Sequence, residues 1–107
     1  ERSLDKLRKN YDPQRIKKPI SWYFALDGQG GTRYTISVDT EKIQIINGKP
    51  INGRADCVIK TTSGMLTRMI LDAYVPAMSE FAAGKVKTNA PHLLFEFQKV
   101  FRLQEQS

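Results

Sequence analysis

The stretch Phe81-Ala82-Ala83-Gly84-Lys85-Val86-Lys87-Thr88-Asn89-Ala90-Pro91-His92-Leu93-Leu94-Phe95-Glu96-Phe97-Gln98-Lys99-Val100-Phe101 decides how the rest of the chain is read. Leu93, Leu94, Phe97, Val100 and Phe101 recur at i, i+1, i+4, i+7 and i+8, which puts them in one stripe of a helix that needs a partner surface. Upstream, Met78, Phe81 and Ala82 form a shorter apolar face that stops at Gly84, a residue that takes positive φ without a Cβ penalty. Between the two, Lys85-Val86-Lys87-Thr88 alternates polar and apolar, the pattern of a short edge strand that buries only Val86. Asn89 is placed to cap the following helix, with Pro91 in its first turn.

Working outward, the period is again helical before this stretch and two-fold before that. Met65, Leu66, Met69, Ile70 and Ala73 predict a helix that starts at Thr62 or Ser63 and breaks near Val75-Pro76. Ala55 to Thr61 alternates as a strand, and Asn47 to Gly53, with two Asn-Gly pairs and a proline, reads as a loop. Glu41 to Ile46, Thr32 to Val38 and Ile20 to Leu26 alternate likewise, the last with Ile20, Trp22, Phe24 and Leu26 on one face. Asp27-Gly28-Gln29-Gly30-Gly31 reads as a hairpin turn. A phosphate-cradling glycine loop has to open a helix, and strand sequence follows here. At the start, Leu4, Leu7 and Tyr11 give a short helix with a weak apolar edge, followed by a turn capped at Asp12-Pro13 and ended by Pro19. The expected architecture is α+β, a five-stranded sheet with helices packed on one face.

A chain of 107 residues forms one domain, and its 40% apolar content supports a packed core. The net charge of +6 is uneven: residues 1–19 hold Arg2, Lys6, Arg8, Lys9, Arg15, Lys17 and Lys18 against Glu1, Asp5 and Asp12. We therefore divide the chain into a basic helical arm or linker, 1–19, and a domain, 20–107. The arm is expected to be solvated, with an anionic membrane surface as the partner it would suit. Nucleic acid is disfavoured, because the strands lack the exposed aromatics of a base-stacking sheet. One cysteine excludes an internal disulfide and fits a reducing, cytoplasmic setting. No apolar run approaches the ~18 residues of a membrane span. Residue 1 is Glu rather than Met, so a preceding segment is expected.

Catalysis finds little to work with. The chain has one histidine, His92, and one cysteine, Cys57, too few for the usual zinc or iron sites, so neither metal nor cofactor is expected. Cys57 shares a strand face with Ala55 and Ile59 and reads as a small buried hydrophobe. His92, in the first turn of a helix, is expected to be neutral and partly exposed. The carboxylates stand singly at turns and on polar faces. No catalytic residue is assigned, and the chain is read as a non-enzyme that can be appended to a larger enzyme. What it has in excess is adaptable apolar surface. Met65, Met69, Ile70 and Met78 lie on the two middle helices, Phe81, Leu94, Phe97 and Phe101 lie further on, and Trp22 and Phe24 supply a floor from the sheet. These ten residues either fill one core or line a cavity.

Phe81-x-x-Gly84-Lys85-Val86-Lys87 followed by Leu93-x-x-x-Phe97-Gln98-Lys99-Val100-Phe101 resembles the C-terminal signature of sterol-carrier-protein-2 domains, and Ala55-Asp56-Cys57-Val58-Ile59-Lys60 resembles that family's Ala-Asp-x-x-Ile strand. The likeness spans roughly residues 20 to 103 and rests on packing motifs rather than catalytic ones. It departs from the family at Val75-Pro76 and Asn89-Ala90-Pro91. The resemblance implies a tunnel between sheet and helices that binds a sterol, fatty acyl chain or similar lipid without covalent chemistry, and so implies lipid transport, with the ten apolar residues as the lining. The rival reading is an interaction or dimerisation domain of a larger protein, with a fused or partner enzyme and a filled tunnel.

Overall fold

A computed structural model describes residues 2–27, 32–50, 53–101 and 103 of the chain. Helix α1 (Arg2–Asn10) is followed by a single 3₁₀ turn (Pro13–Arg15), then strands β1 (Ile20–Asp27), β2 (Arg33–Val38), β3 (Ile43–Asn47) and β4 (Cys57–Thr62). Helices α2 (Ser63–Leu71) and α3 (Met78–Ala82), strand β5 (Lys87–Thr88) and helix α4 (Pro91–Val100) complete the order expected from the periodicities.

The sheet has five strands in the order β3-β2-β1-β4-β5. The meander β1-β2-β3 is antiparallel, and Leu26 N–H donates to the Thr32 carbonyl at 2.9 Å across the hairpin whose tip, 28–31, lies outside the described residues. The chain then returns so that β4 pairs with β1 in parallel, while β5 closes the far edge antiparallel to β4. The most apolar strand, β1, is thus central. Trp22, Phe24 and Leu26 of β1, Ile36 and Val38 of β2, and Cys57 and Ile59 of β4 are all buried on the face that the helices cover. Alternation does the rest: Ser21, Tyr23 and Ala25 turn to the open face and are only half-buried.

Local chemistry explains the boundaries. Thr62 caps α2, its Oγ1 accepting from Met65 N–H at 3.0 Å. Thr62→Ala should therefore cost about 1 kcal/mol in a urea titration, and an unchanged midpoint would deny the cap any role. Helix α2 ends at Leu71, ahead of the expected break at Val75-Pro76, because Ala73 adopts φ 56° and Tyr74 N–H turns back to the Arg68 carbonyl at 3.2 Å. At the end of α3, Gly84 takes φ 79°, and the bonds Lys85 N–H to Glu80 and Gly84 N–H to Phe81 close the last turn as a Schellman motif. Asn89 does not cap α4; that position falls to Ala90. The Asn89 side chain instead accepts from Val58 N–H at 2.8 Å and so extends the β4–β5 edge by one backbone-like bond. Val86 is buried, as the edge-strand reading requires.

Residues 1–19 differ from the expected solvated arm. Leu4, Leu7 and Ile16 belong to the buried core, Lys6 Nζ donates to the Ile70 carbonyl at 2.7 Å, and Asn10 Nδ2 donates to the Phe101 carbonyl at 2.8 Å. Burying Leu7 is worth about 1.5–3 kcal/mol and outweighs the solvation of a short basic helix. The charges stay outside: Arg8, Lys9, Arg15, Lys17 and Lys18 are exposed. No helix among the described residues is long and apolar enough to cross a membrane.

Candidate functional site

Of the ten residues expected to line a tunnel, Trp22, Phe24, Met69, Ile70, Leu94, Phe97 and Phe101 are wholly shielded from solvent. Their rings meet one another. Phe97 lies 5.2 Å from Trp22, 5.2 Å from Phe24 and 5.1 Å from Phe101, centroid to centroid, in edge-on or tilted pairs, and Trp22 lies 6.0 Å from Phe101. Such pairs add about 0.5–1.5 kcal/mol each beyond the burial itself. The Trp22 indole N–H is satisfied by the Leu93 carbonyl at 2.8 Å, which fixes the first turn of α4 onto the sheet. Met65 is buried beside them. Phe81 is half-buried against Phe95, ring centroids 6.3 Å apart. Met78 stands 80% exposed on α3, outside the layer in which it was expected.

A groove of about 660 Å³ runs between α4 and the segment that leads into β1, lined by Ile16, Ile20, Leu93, Phe95 and Val100 below and by Arg15, Lys17, Lys18, His92, Glu96 and Lys99 around the rim. Its walls follow from local structure. Ile16 ends the 3₁₀ turn in extended geometry, donating back to the Pro13 carbonyl at 3.2 Å, so that Lys17 and Lys18 point away from the buried Ile16. On α4, His92, Phe95, Glu96 and Lys99 fall at i, i+3, i+4 and i+7, the stripe next to the core-facing Leu94, Phe97 and Phe101. Arg15 Nη1 donates to the Lys99 carbonyl at 3.3 Å and ties the two walls together. The result is an apolar floor under a rim on which Glu96 is the single acid against several cations. The reading of the sequence missed this site, although Ile16 and Ile20 set among Arg15, Lys17, Lys18 and Pro19 were its signal: apolar residues inside a basic run.

Apart from His92 and Glu96, which border the groove, the chemistry-bearing side chains serve structure. Cys57 is fully buried, with Sγ 3.3 Å from Thr88 Oγ1 and 3.5 Å from the Ala90 carbonyl, and burial pushes its thiol pKa up. A thiol so placed is a poor nucleophile. Asp39 closes a turn by accepting from the Glu41 and Lys42 amides at 2.7 and 2.8 Å, which holds its carboxyl below the usual range. Tyr74 donates to Glu80, whose pKa is lowered chiefly by that bond, and Arg68 sits 4.0 Å over the Tyr74 ring; together they pin α3 to α2. His92 is exposed at the groove wall. Among the described residues, no group of His, Cys, Asp and Glu is placed to hold a metal ion.

No protein-family model matches the sequence, and no curated protein matches it. Solved structures do. The stereoselective inverting sec-alkylsulfatase Pisa1 from Pseudomonas sp. superposes with a TM-score of 0.69 at 17% identity over 94% of this chain, which spans 15% of that much longer one. Sterol Carrier Protein-2 like-3 from Aedes aegypti superposes with a TM-score of 0.62 at 18% identity, covering 92% of each chain. Sterol Carrier Protein 2 from Yarrowia lipolytica, in its apo form, gives 0.56 at 16% identity over 91% of this chain and 88% of that one. These superpositions run over nearly the whole of both sterol-carrier-protein chains, so the fold of this chain is a sterol-carrier-protein-2-like fold.

Proposed function

We propose that this domain binds, without covalent chemistry, a lipid-like ligand with an apolar chain and an anionic head, in the groove between residues 15–20 and α4. The observation that carries this reading is the pairing of an apolar floor (Ile16, Ile20, Leu93, Phe95, Val100) with a cationic rim (Arg15, Lys17, Lys18, Lys99) around a volume of about 660 Å³. Pockets for small ligands commonly span roughly 300–1,000 Å³. About eight buried methylenes at ~0.8 kcal/mol each offer roughly 6 kcal/mol before the costs of association, enough for binding with little selectivity among chains. The likeness in fold to Sterol Carrier Protein-2 like-3 and Sterol Carrier Protein 2 supports the class of ligand. We place the ligand here rather than among the apolar residues first expected to line a tunnel, because Trp22, Phe97 and Phe101 pack ring against ring.

Displacement of a fluorescent fatty acid and mass spectrometry under native conditions test this. The chain should carry or take up lipid, and Phe95→Asp should weaken uptake by about tenfold or more, since a charge on the floor repels both the chain and the head. Lys17→Glu with Lys18→Glu should weaken binding of a fatty acid more than that of its uncharged methyl ester. A clean, unliganded mass with no displacement would end the carrier reading and return the domain to a docking role.

A further inference from the structure

A second groove, of about 580 Å³, lies at the other end of the sheet and has the opposite character. Its walls hold Arg33, Lys60, Lys85 and Lys87, with Asp27 as the one carboxylate, and Ala25, Met65 and Gly84 as its small or apolar members. Register explains the convergence. Ala25 of β1 stands opposite Arg33 of β2 on one side and Lys60 of β4 on the other, and Lys60 stands opposite Lys87 of β5. Arg33, Ala25, Lys60 and Lys87 therefore form one row across neighbouring strands on the open face, and the small Ala25 leaves a trough in the middle. At about 4.8 Å between strands the row spans roughly 14 Å, within reach of converging Arg and Lys side chains. Lys85, two residues before Lys87, leans in from the same edge.

We propose that this trough is a binding site for a multiply charged phosphate or sulfate group, held by Arg33, Lys60, Lys85 and Lys87. Like charges directly opposite on adjacent strands destabilise a sheet, and Lys60 faces Lys87 in that way with no ion pair to either among the described residues. An anion between them turns the repulsion into charge-assisted hydrogen bonds. Of the neighbouring hydroxyls, Thr61 Oγ1 already donates to the Lys85 carbonyl at 2.9 Å, and Thr62 Oγ1, which accepts from Met65 N–H, leaves a single proton to offer an anion. Recognition therefore falls to the cations, which favours a ligand with more than one negative charge over a lone carboxylate. No lining residue is aromatic, so nothing in the trough stacks a base.

The test uses the whole chain with pyrophosphate and tripolyphosphate in calorimetry, and phosphatidylcholine vesicles with and without phosphatidylinositol bisphosphate in co-sedimentation. Binding to the free anions identifies a soluble ligand; binding only to the bisphosphate vesicles identifies a lipid head group; either supports the site. Lys60→Gln with Lys87→Gln should lower the affinity by about tenfold or more, whereas Lys42→Gln with Lys49→Gln, which removes the same charge elsewhere, should change it by less than about threefold. Without ligand, the Lys60 and Lys87 pair of changes should raise Tm, because the facing repulsion is gone. Equal losses in the two double variants, no binding to any of the probes, or tighter binding of a single-stranded oligonucleotide through the same residues would overturn the proposal. Phe95→Asp should leave anion binding untouched, so the failure of one groove is separable from the failure of the other.

Discussion

Phe97→Ala is expected to lower the free energy of unfolding by about 3–5 kcal/mol, read as a shift of the urea midpoint at constant slope. Phe97 is fully shielded and its ring sits within 5.2 Å, centroid to centroid, of Trp22, Phe24 and Phe101. Truncation therefore removes the transfer energy of a large side chain and leaves a void that rigid neighbours cannot fill. Domains of this size have roughly 5–15 kcal/mol in all, so this one change takes a large part of it. The same experiment decides whether the layer between sheet and helices is solid. A ring that borders a ready-made tunnel has neighbours on one side only, and its loss would cost about 1–2 kcal/mol. A result in that lower range would restore the tunnel and sink the packed-layer account. Met69→Trp gives the complementary reading: in a filled layer the added volume should cost about 1–3 kcal/mol, and in a hollow one little.

Gln98→Glu should produce the second large loss, about 3–5 kcal/mol at neutral pH, and that loss should depend on pH. Gln98 is fully buried on α4; its Nε2 donates to the Tyr74 carbonyl at 2.8 Å, and no donor among the described residues meets its Oε1. A carboxyl at this position is favoured in its neutral form, which can still donate to Tyr74. Burial of that kind raises a carboxyl pKa by roughly three units, at 1.36 kcal/mol per unit. The sign follows from the raised folded-state value. Below the unfolded pKa of about 4.3 the variant keeps its stability, and it loses it progressively as pH rises toward the raised folded-state value. Thermal melts of both proteins from about pH 4.5 to 8 should therefore diverge with rising pH. A gap that stays constant across that range would mean that the carboxyl reaches water, and that the environment of Gln98 is not the dry one described.

The stripe on α4 was legible because Leu94, Phe97 and Phe101 repeat at helical spacing, and Gly84 was legible because its place after Phe81 calls for positive φ. Where a local rule failed, a specific partner overruled it. Ala73 ended α2 ahead of Pro76, and Asn89 was drawn to Val58 N–H on the neighbouring strand rather than to its own helix. Met78 was placed inside because it shares a helical face with Phe81, yet it stands 80% exposed while Phe81 packs against Phe95. Leu4 and Leu7 gave only a weak apolar edge to a basic segment, and Ile16 went unread; all three are buried because the core offered them a surface that the sequence does not display.

By itself, the sequence determined the kinds of element, their order, and an α+β layer with one apolar sheet face, because periods of 3.6 and 2 are properties of neighbouring residues. Only the tertiary structure decided that β4 returns beside β1 in parallel, that the rings of Trp22 and Phe97 meet edge-on, and that the two grooves have an apolar floor at one end and a row of cations at the other. Those features depend on register and on contacts between residues far apart in the chain, such as Trp22 with Leu93 and Lys60 with Lys87, and no local pattern encodes which distant partner a face will meet.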